Sequence, residues 1–345
     1  MNQIGKLFFT GLTGTELTID EEIFIKDYNL GGVILFSKNF ESRAQLKTLC
    51  AQIKKISPDI LIATDHEGGR VQRFRHEFTE FPSMMDISKL GSPKLCFQVH
   101  EQMAKELRFC GVNVNLSPCT DILIDLNCNV IGDRSFGSTK EIVAEFSSSA
   151  VRGLQTNGVL SCIKHFPGHG NTSIDSHEDL PIIEDSLETI IERDLFPFRR
   201  AAKSKSGFVM MAHLKIPALD PENMTTISKK AYELCRDQLR FSGIIITDDM
   251  EMGAIEKNYG TAEAAEMAIF AGATMLEYRS FDKTREVVTA LSGNNGFMGV
   301  VESNAKIIST VKKNHLNINE PLGESIFIEG ERLNSEIREQ LSKIT

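Results

Sequence analysis

The chain has 345 residues, of which 41% are hydrophobic and 25% are charged, and its formal net charge is −9. The length suits a (β/α) barrel, and both proportions are ordinary for a globular protein. The negative charge argues against nucleic acid or an anionic membrane surface as the main partner.

Eight short, almost continuously apolar runs predict parallel strands that are buried on both faces. The runs are Ile4–Phe9, Gly32–Phe36, Ile60–Thr64, Val112–Leu116, Val159–Ile163, Phe208–Met211, Ile244–Ile246 and Thr274–Leu276. Amphipathic stretches between and after them predict helices at Ser42–Ile56, Pro93–Phe109, Lys140–Leu154, Leu187–Lys203, Lys229–Leu239 and Val301–Lys313. Eight successive βα units predict an α/β fold, a closed TIM-like (β/α)8 barrel, with an open doubly wound sheet as the alternative.

No Pro/Gly/Ser-rich linker divides the chain, so residues 1–345 are expected to form a single barrel domain with a C-terminal helical tail from about residue 300. The cysteine count is odd and shows no paired spacing, which predicts reduced, buried thiols. The N-terminus resembles no signal peptide, and no apolar run is as long as a membrane span. A cytoplasmic protein is therefore expected, while the sequence leaves the oligomeric state open.

Polar residues follow the predicted strands at their carboxyl ends. In chain order they are Asp65, Asp121, Lys164, His165, His213, Asp248 and Arg279. Because the carboxyl ends of all strands in a parallel barrel open on one face, these side chains are predicted to converge there.

Asp248 comes directly after the apolar run Ile244–Ile246 and Thr247. A lone aspartate at a strand-to-helix turn is often a helix N-cap. Two aspartates stand together here, so one can react while the other supports it. We favour Asp248 for the chemistry and Asp249 for support.

His177 lies two residues after Asp175, close enough for the carboxylate to orient the imidazole and raise its basicity. The alternative is a solvated loop with incidental polar residues. Gly168, Gly170 and Pro167 indicate an unusual backbone before this dyad, and a mobile loop there could deliver His177 to a substrate.

Residues 65–73 combine two acidic residues, two glycines and two arginines after the third strand. They form either a charged turn or a ligand-binding segment, because carboxylate and guanidinium groups bind vicinal sugar hydroxyls and polar substituents. Arg134 and Lys164 add donors. Neither a P-loop nor a G-x-G-x-x-G motif is present, which disfavours phosphate binding. The histidines form no standard ligand set, so we expect no metal and no other cofactor.

The chain resembles the bacterial β-N-acetylglucosaminidases (β-hexosaminidases) of glycoside hydrolase family three over about Gly31 to Leu276. The matching segments are Gly31–Phe36, Asp65–Arg73, Asn115–Pro118, Lys164–Gly170 with Asp175-Ser176-His177, and Gly243–Met250. The Asp-Ser-His extension separates this branch from the related β-glucosidases, which take their acid/base carboxylate from a further domain.

The resemblance implies that Asp248 is the nucleophile and His177 the acid/base, with Asp175 as its partner. It also implies sugar contacts from a second group of residues: Asp65, Arg73, Arg134, Lys164 and His165. The expected reaction is removal of terminal β-linked GlcNAc, with retention, from cell-wall muropeptide fragments or chitooligosaccharides. GlcNAc phosphorolysis by the same residues, a sugar-binding barrel without activity and a metal-dependent hydrolase remain alternatives.

Overall fold

A computed structural model describes residues 3–172, 179–316, 318 and 320–344. Eight parallel strands close into a barrel in which each strand pairs with its sequence neighbours and the last pairs with the first. They are β1 (Phe8–Gly11), β2 (Gly32–Leu35), β3 (Leu61–Thr64), β4 (Val114–Asn115), β5 (Leu160–Phe166), β6 (Phe208–Met211), β7 (Ile244–Asp249) and β8 (Met275–Tyr278). The predicted closed barrel is confirmed, and the open sheet is wrong. A short antiparallel ribbon, His66–Gly68 with Val71–Gln72, follows β3.

Helices surround the barrel and extend beyond it. They are α1 (Ile19–Asp27), α2 (Arg43–Ile56), α3 (Met84–Lys89), α4 (Pro93–Cys110), α5 (Lys140–Gln155), α6 (Leu187–Thr189), α7 (Leu195–Lys203), α8 (Lys229–Leu239), α9 (Gly253–Glu256), α10 (Thr261–Ala271), α11 (Phe281–Leu291), α12 (Met298–His315) and α13 (Ser325–Leu341). None of the helices in the described part of the chain combines the length and the apolar character that crossing a bilayer requires.

Local sequence signals explain where α4 begins and ends. The Ser92 hydroxyl accepts a hydrogen bond from the Leu95 N–H at 3.2 Å, and Pro93 occupies the first helical position. Gly111 ends the helix with φ +98°, a conformation that L side chains rarely adopt. The chain then turns into β4 at Val114, so these three residues fix the entry to the barrel.

The first predicted strand and the fourth predicted helix differ from the observed elements in the kind of secondary structure. Ile4–Leu7 forms a 3₁₀ turn instead of the start of a strand, and β1 begins only at Phe8. The predicted helix Leu187–Lys203 contains a π-helical stretch at Ile190–Asp194. Pro197, which cannot donate a backbone hydrogen bond, lies in the first turn of α7, directly after this stretch.

The C-terminal helix α13 packs against the barrel's outer helices. Phe327 is buried and its ring meets the rings of Phe78 and Phe109 edge-on, with centroids 5.7 and 5.4 Å away. The amide of Gln102, on α4, donates to the Ile326 carbonyl at 2.6 Å. Helices α12 and α13 both contribute buried side chains, among them Val301 and Ile308 on α12 and Ile326 and Phe327 on α13.

Candidate active site

A cavity of about 650 Å³ opens at the carboxyl ends of the barrel strands. Six of the eight site residues predicted from the sequence line it together: Asp65, Arg73, Arg134, Lys164, His165 and Asp248. The other two, Asp175 and His177, lie outside the described residues. A larger cavity of about 760 Å³ lies at the opposite end of the barrel, where active sites are not expected in this fold.

Asp65, Glu67 and three cations form a buried ionic cluster on one side of the cavity. The Lys164 ammonium lies 2.9 Å from Asp65 Oδ1 and 2.8 Å from Glu67 Oε1. Arg134 donates to both Glu67 oxygens, at 2.8 and 2.9 Å, in a two-pronged pair. Arg73 completes the set at 2.9 Å from Asp65 Oδ2. Charge-assisted pairs of this kind fix side-chain direction, so the cluster is ready to bind polar substituents.

Ionisation within the cluster follows from these contacts. Burial by itself would raise the pKa of Glu67, but Arg134 and Lys164 lower it to about 2. Burial likewise opposes the charge of Asp65, yet Lys164 and Arg73 hold its pKa well below the usual range. The same two carboxylates raise the pKa of Lys164 against the effect of its own burial. All of these groups are therefore charged at neutral pH.

His165 is oriented by a carboxylate beneath it. Its Nδ1 lies 2.7 Å from Asp121 Oδ2, and the backbone N–H of His165 donates to the same oxygen at 3.0 Å. Burial opposes the charge of Asp121, but His165 lowers the pKa of this carboxyl to about 2. Nε2 of His165 lies 3.3 Å from an Arg134 nitrogen, which links the imidazole to the ionic cluster.

Asp121 also holds the start of the loop after β5. Its Oδ1 accepts from the His169 N–H at 2.7 Å, and the Gly170 carbonyl accepts from the Ile124 N–H at 3.0 Å. A Cβ at position 170 would lie 1.8 Å from the Ile122 carbonyl oxygen, so only glycine fits there. The glycine-rich segment is thus structured at least as far as Thr172, where the described part of the loop ends.

The two aspartates at the end of β7 have different environments. Burial opposes ionisation of Asp248, but electrostatic interactions with His165 and His213 hold its pKa below the usual value. Burial instead raises the pKa of Asp249 to about 7, although Arg279 at 3.4 Å partly offsets this. Two carboxyls with opposite shifts in one cavity are typical of an enzyme site.

His213 does not line the cavity but contacts the backbone of the Asp248–Asp249 pair. It is fully buried, and its Nε2 lies 2.9 Å from the Asp249 carbonyl oxygen. Its Nδ1 lies 2.5 Å from the Thr226 hydroxyl. With Nε2 donating to that carbonyl, His213 positions the backbone that carries Asp248 and Asp249.

Cys119, Asp121 and His165 place potential metal-ligand atoms within 4.8 Å of one another. The Asp121 oxygen at the centre already accepts hydrogen bonds from the other two side chains, with Cys119 Sγ at 3.3 Å. Burial raises the pKa of the Cys119 thiol well above its usual value, so the thiol keeps its proton. A metal ion would have to displace that proton in order to bind the sulfur. The donor set therefore fits a hydrogen-bonded support for His165 better than a metal site.

Sequence reasoning missed two carboxyls of the site. Glu67 lies inside the recognised 65–73 segment, but its pairing with Arg134 joins residues 67 positions apart and has no local signal. Glu277 was overlooked because the apolar run predicts that β8 ends at Leu276, whereas the strand continues to Tyr278. The position of Glu277 near the carboxyl end of a predicted strand was the sequence feature that indicated an active-site residue.

Residues 3–296 match the family model described as glycosyl hydrolase family 3 N terminal domain. A β-hexosaminidase of Nitrosomonas eutropha is 39% identical over 292 residues, covering 81% of this chain and 82% of that protein. A family 3 β-N-acetylglucosaminidase from Paenibacillus superposes with a TM-score of 0.92 at 32% identity, over 98% of this chain and 68% of the other.

A second solved structure is NagZ from Neisseria gonorrhoeae in complex with N-trifluoroacetyl-D-glucosamine. It matches with a TM-score of 0.78 at 30% identity and covers 97% of this chain and 98% of its own. The family match, the level of identity and the barrel with its polar cavity agree with one another. The chain belongs to glycosyl hydrolase family 3, among its β-hexosaminidases, and is a glycoside hydrolase.

Proposed function

We propose that the protein is a retaining exo-β-N-acetylglucosaminidase that removes terminal β-linked GlcNAc. The observation that carries this proposal is the ionised Asp248 in a cavity shared with Asp65, Arg134, Lys164 and His165. An anionic nucleophile beside a rigid set of hydroxyl-binding groups is what retaining glycoside hydrolysis requires.

Asp248 attacks the anomeric carbon through an oxocarbenium-like transition state and forms a covalent glycosyl ester. His177, oriented by Asp175, protonates the leaving oxygen and then activates the water that releases the sugar. These roles for His177 and Asp175 come from the sequence motif alone. An imidazole with an unperturbed pKa near 6.5 serves in both protonation states close to neutral pH.

Arg134 and Lys164 donate hydrogen bonds to sugar hydroxyls, and Asp65 accepts hydrogen bonds from sugar hydroxyls. The ionic cluster holds all three side chains in position for these contacts. Arg73 closes this side of the cavity, and His165 contributes an imidazole fixed by Asp121. Since a related enzyme was solved with a GlcNAc analogue, an acetamido sugar is the substrate class we favour. The proposed natural substrates are cytoplasmic muropeptide fragments or chitooligosaccharides.

The test compares aryl β-GlcNAc with aryl β-glucoside, each with and without inorganic phosphate. The proposal expects rapid release of GlcNAc from the first substrate, slow turnover of the second and no sugar phosphate. GlcNAc 1-phosphate as the main product would replace hydrolysis by phosphorolysis. Binding of GlcNAc without turnover would indicate a sugar-binding protein, and loss of activity with a chelator would favour a metal-dependent hydrolase.

A further inference from the structure

Glu277 stands on the last barrel strand at the height of Asp249, the neighbour of the proposed nucleophile. It pairs in register with Asp249 on β7 and with Phe9 on β1, and its side chain lines the active-site cavity. The residue is only 5% exposed. No role described so far uses this carboxyl, although it lines the same cavity as the cluster residues.

The Glu277 carboxyl is fixed but incompletely bonded. Its backbone N–H donates to the Thr247 hydroxyl at 3.2 Å, and its carbonyl accepts from the Met250 N–H at 2.9 Å, so the strand cannot shift. Yet Oε2 is buried and has no hydrogen-bond partner within the described residues. Buried polar atoms are almost always bonded, and an exception inside a cavity points to a missing ligand.

The side chains around Glu277 decide whether protonation of its carboxyl is favoured. Burial raises the pKa of Glu277 well above its usual value, and the nearby carboxyls of Asp65, Asp249 and Asp248 raise it further. Lys164, whose ammonium is paired with Asp65 and Glu67, opposes this rise without reversing it. These surroundings favour the protonated carboxyl of Glu277, which has an O–H to donate and an oxygen to accept.

We propose that Glu277 is a specificity-determining residue that exchanges hydrogen bonds with one hydroxyl of the bound hexosamine. A hydroxyl fits because it accepts from the acid O–H and donates to the second oxygen. A bare hydrocarbon position would leave the carboxyl unpaired, so sugars that lack this hydroxyl bind poorly in the transition state. This inference rests on the proposed function, because it assigns a contact to the same sugar.

The experiment crosses variants of position 277 with four substrates: aryl β-GlcNAc and its 3-, 4- and 6-deoxy analogues. For the wild type, one deoxy analogue should lose roughly 100-fold or more in kcat/KM. Glu277→Leu should lower kcat/KM on the parent sugar by roughly 10- to 100-fold but hardly affect that one analogue. Glu277→Gln, an amide that still donates and accepts, should keep the preference.

Glu251→Gln is the matched control, because Glu251 is also buried but both of its oxygens are satisfied by Ser280. It should leave the ranking of the four substrates unchanged. The proposal is overturned if Glu277→Leu lowers kcat/KM equally on all four substrates, or not at all. It is also overturned if Glu277→Gln loses the preference while its melting temperature stays that of the wild type.

Wild-type turnover of aryl β-GlcNAc tests the proposed function separately from these ratios. If the wild type hydrolyses aryl β-GlcNAc but the variants change kcat/KM by the same factor on all four substrates, only the role of Glu277 fails. If the wild type hydrolyses no aryl hexosaminide, the proposed function fails and the inference fails with it.

Discussion

Glu67→Gln removes one charge from the buried cluster without changing the size of the side chain. Glu67 is 1% exposed and accepts from Arg134 at 2.8 and 2.9 Å and from Lys164 at 2.8 Å. In the wild type three cations face two carboxylates, whereas in the variant they face Asp65 alone. The amide NH₂ of the new residue would also point at a cationic donor.

Breaking one partner of a buried ion pair costs about 3–5 kcal/mol, because the remaining charge stays buried and unpaired. We expect a loss of that size in the free energy of unfolding, measured by urea denaturation. Arg134 and Lys164 also lose the group that aims them, so kcat/KM on aryl β-GlcNAc should fall by roughly 100-fold.

Glu80→Gln is the control, because Glu80 pairs with Arg75 at 2.8 Å on the surface, where the two side chains are 48% and 43% exposed. A pair of this kind contributes about 0–1 kcal/mol. If Glu67→Gln destabilises the protein no more than Glu80→Gln does, the cluster does not hold the site in the way described.

Three further variants test other parts of the account. Burial lowers the pKa of His66 to about 3, so between pH 6.5 and 3 this imidazole is protonated in the unfolded state but neutral in the folded state. The free energy of unfolding therefore decreases as the pH is lowered through that range. His66→Gln should flatten the wild-type slope by about 1.4 kcal/mol per pH unit between pH 6 and 4, in denaturant melts at several pH values; an unchanged slope contradicts this. Phe327→Ala should cost about 3–5 kcal/mol and Ile328→Ala, which is 75% exposed, under about 0.5 kcal/mol; equal losses would mean that α13 is not docked. Asp121→Asn removes the negative charge beside His165 and replaces one of the two accepting oxygens with a donor NH₂, so it should lower kcat/KM roughly 10- to 100-fold; wild-type kinetics would rule out that support.

The barrel was predictable because each strand is a short apolar run buried on both faces, which is a local signal. The ends of the strands were less certain where an apolar run is followed by polar residues. β5 and β7 extend to Phe166 and Asp249, past their apolar runs, because the final residues of these strands carry the site. Helix α1 lacks a clear apolar stripe and begins instead at a capping box between Thr18 and Glu21.

The position of the site was predictable from topology, since polar residues after parallel strands meet on one face. The pairings within it were not. The contacts of Glu67 with Arg134 and of Asp121 with His165 join residues 67 and 44 positions apart, so only the folded barrel brings them together. The difference between Asp248 and Asp249 also depends on neighbours distant in the chain, such as His213 and Arg279.

Trapping the covalent intermediate tests the central claim most directly. A 5-fluorinated N-acetylglucosaminyl fluoride should inactivate the enzyme and add one sugar mass to the peptide that contains Asp248, with fragmentation assigning the ester to that residue. Asp248→Ala should take up no label. A sugar attached to Asp249, Glu277 or any other residue, or equal labelling of the Asp248→Ala variant, would contradict the account.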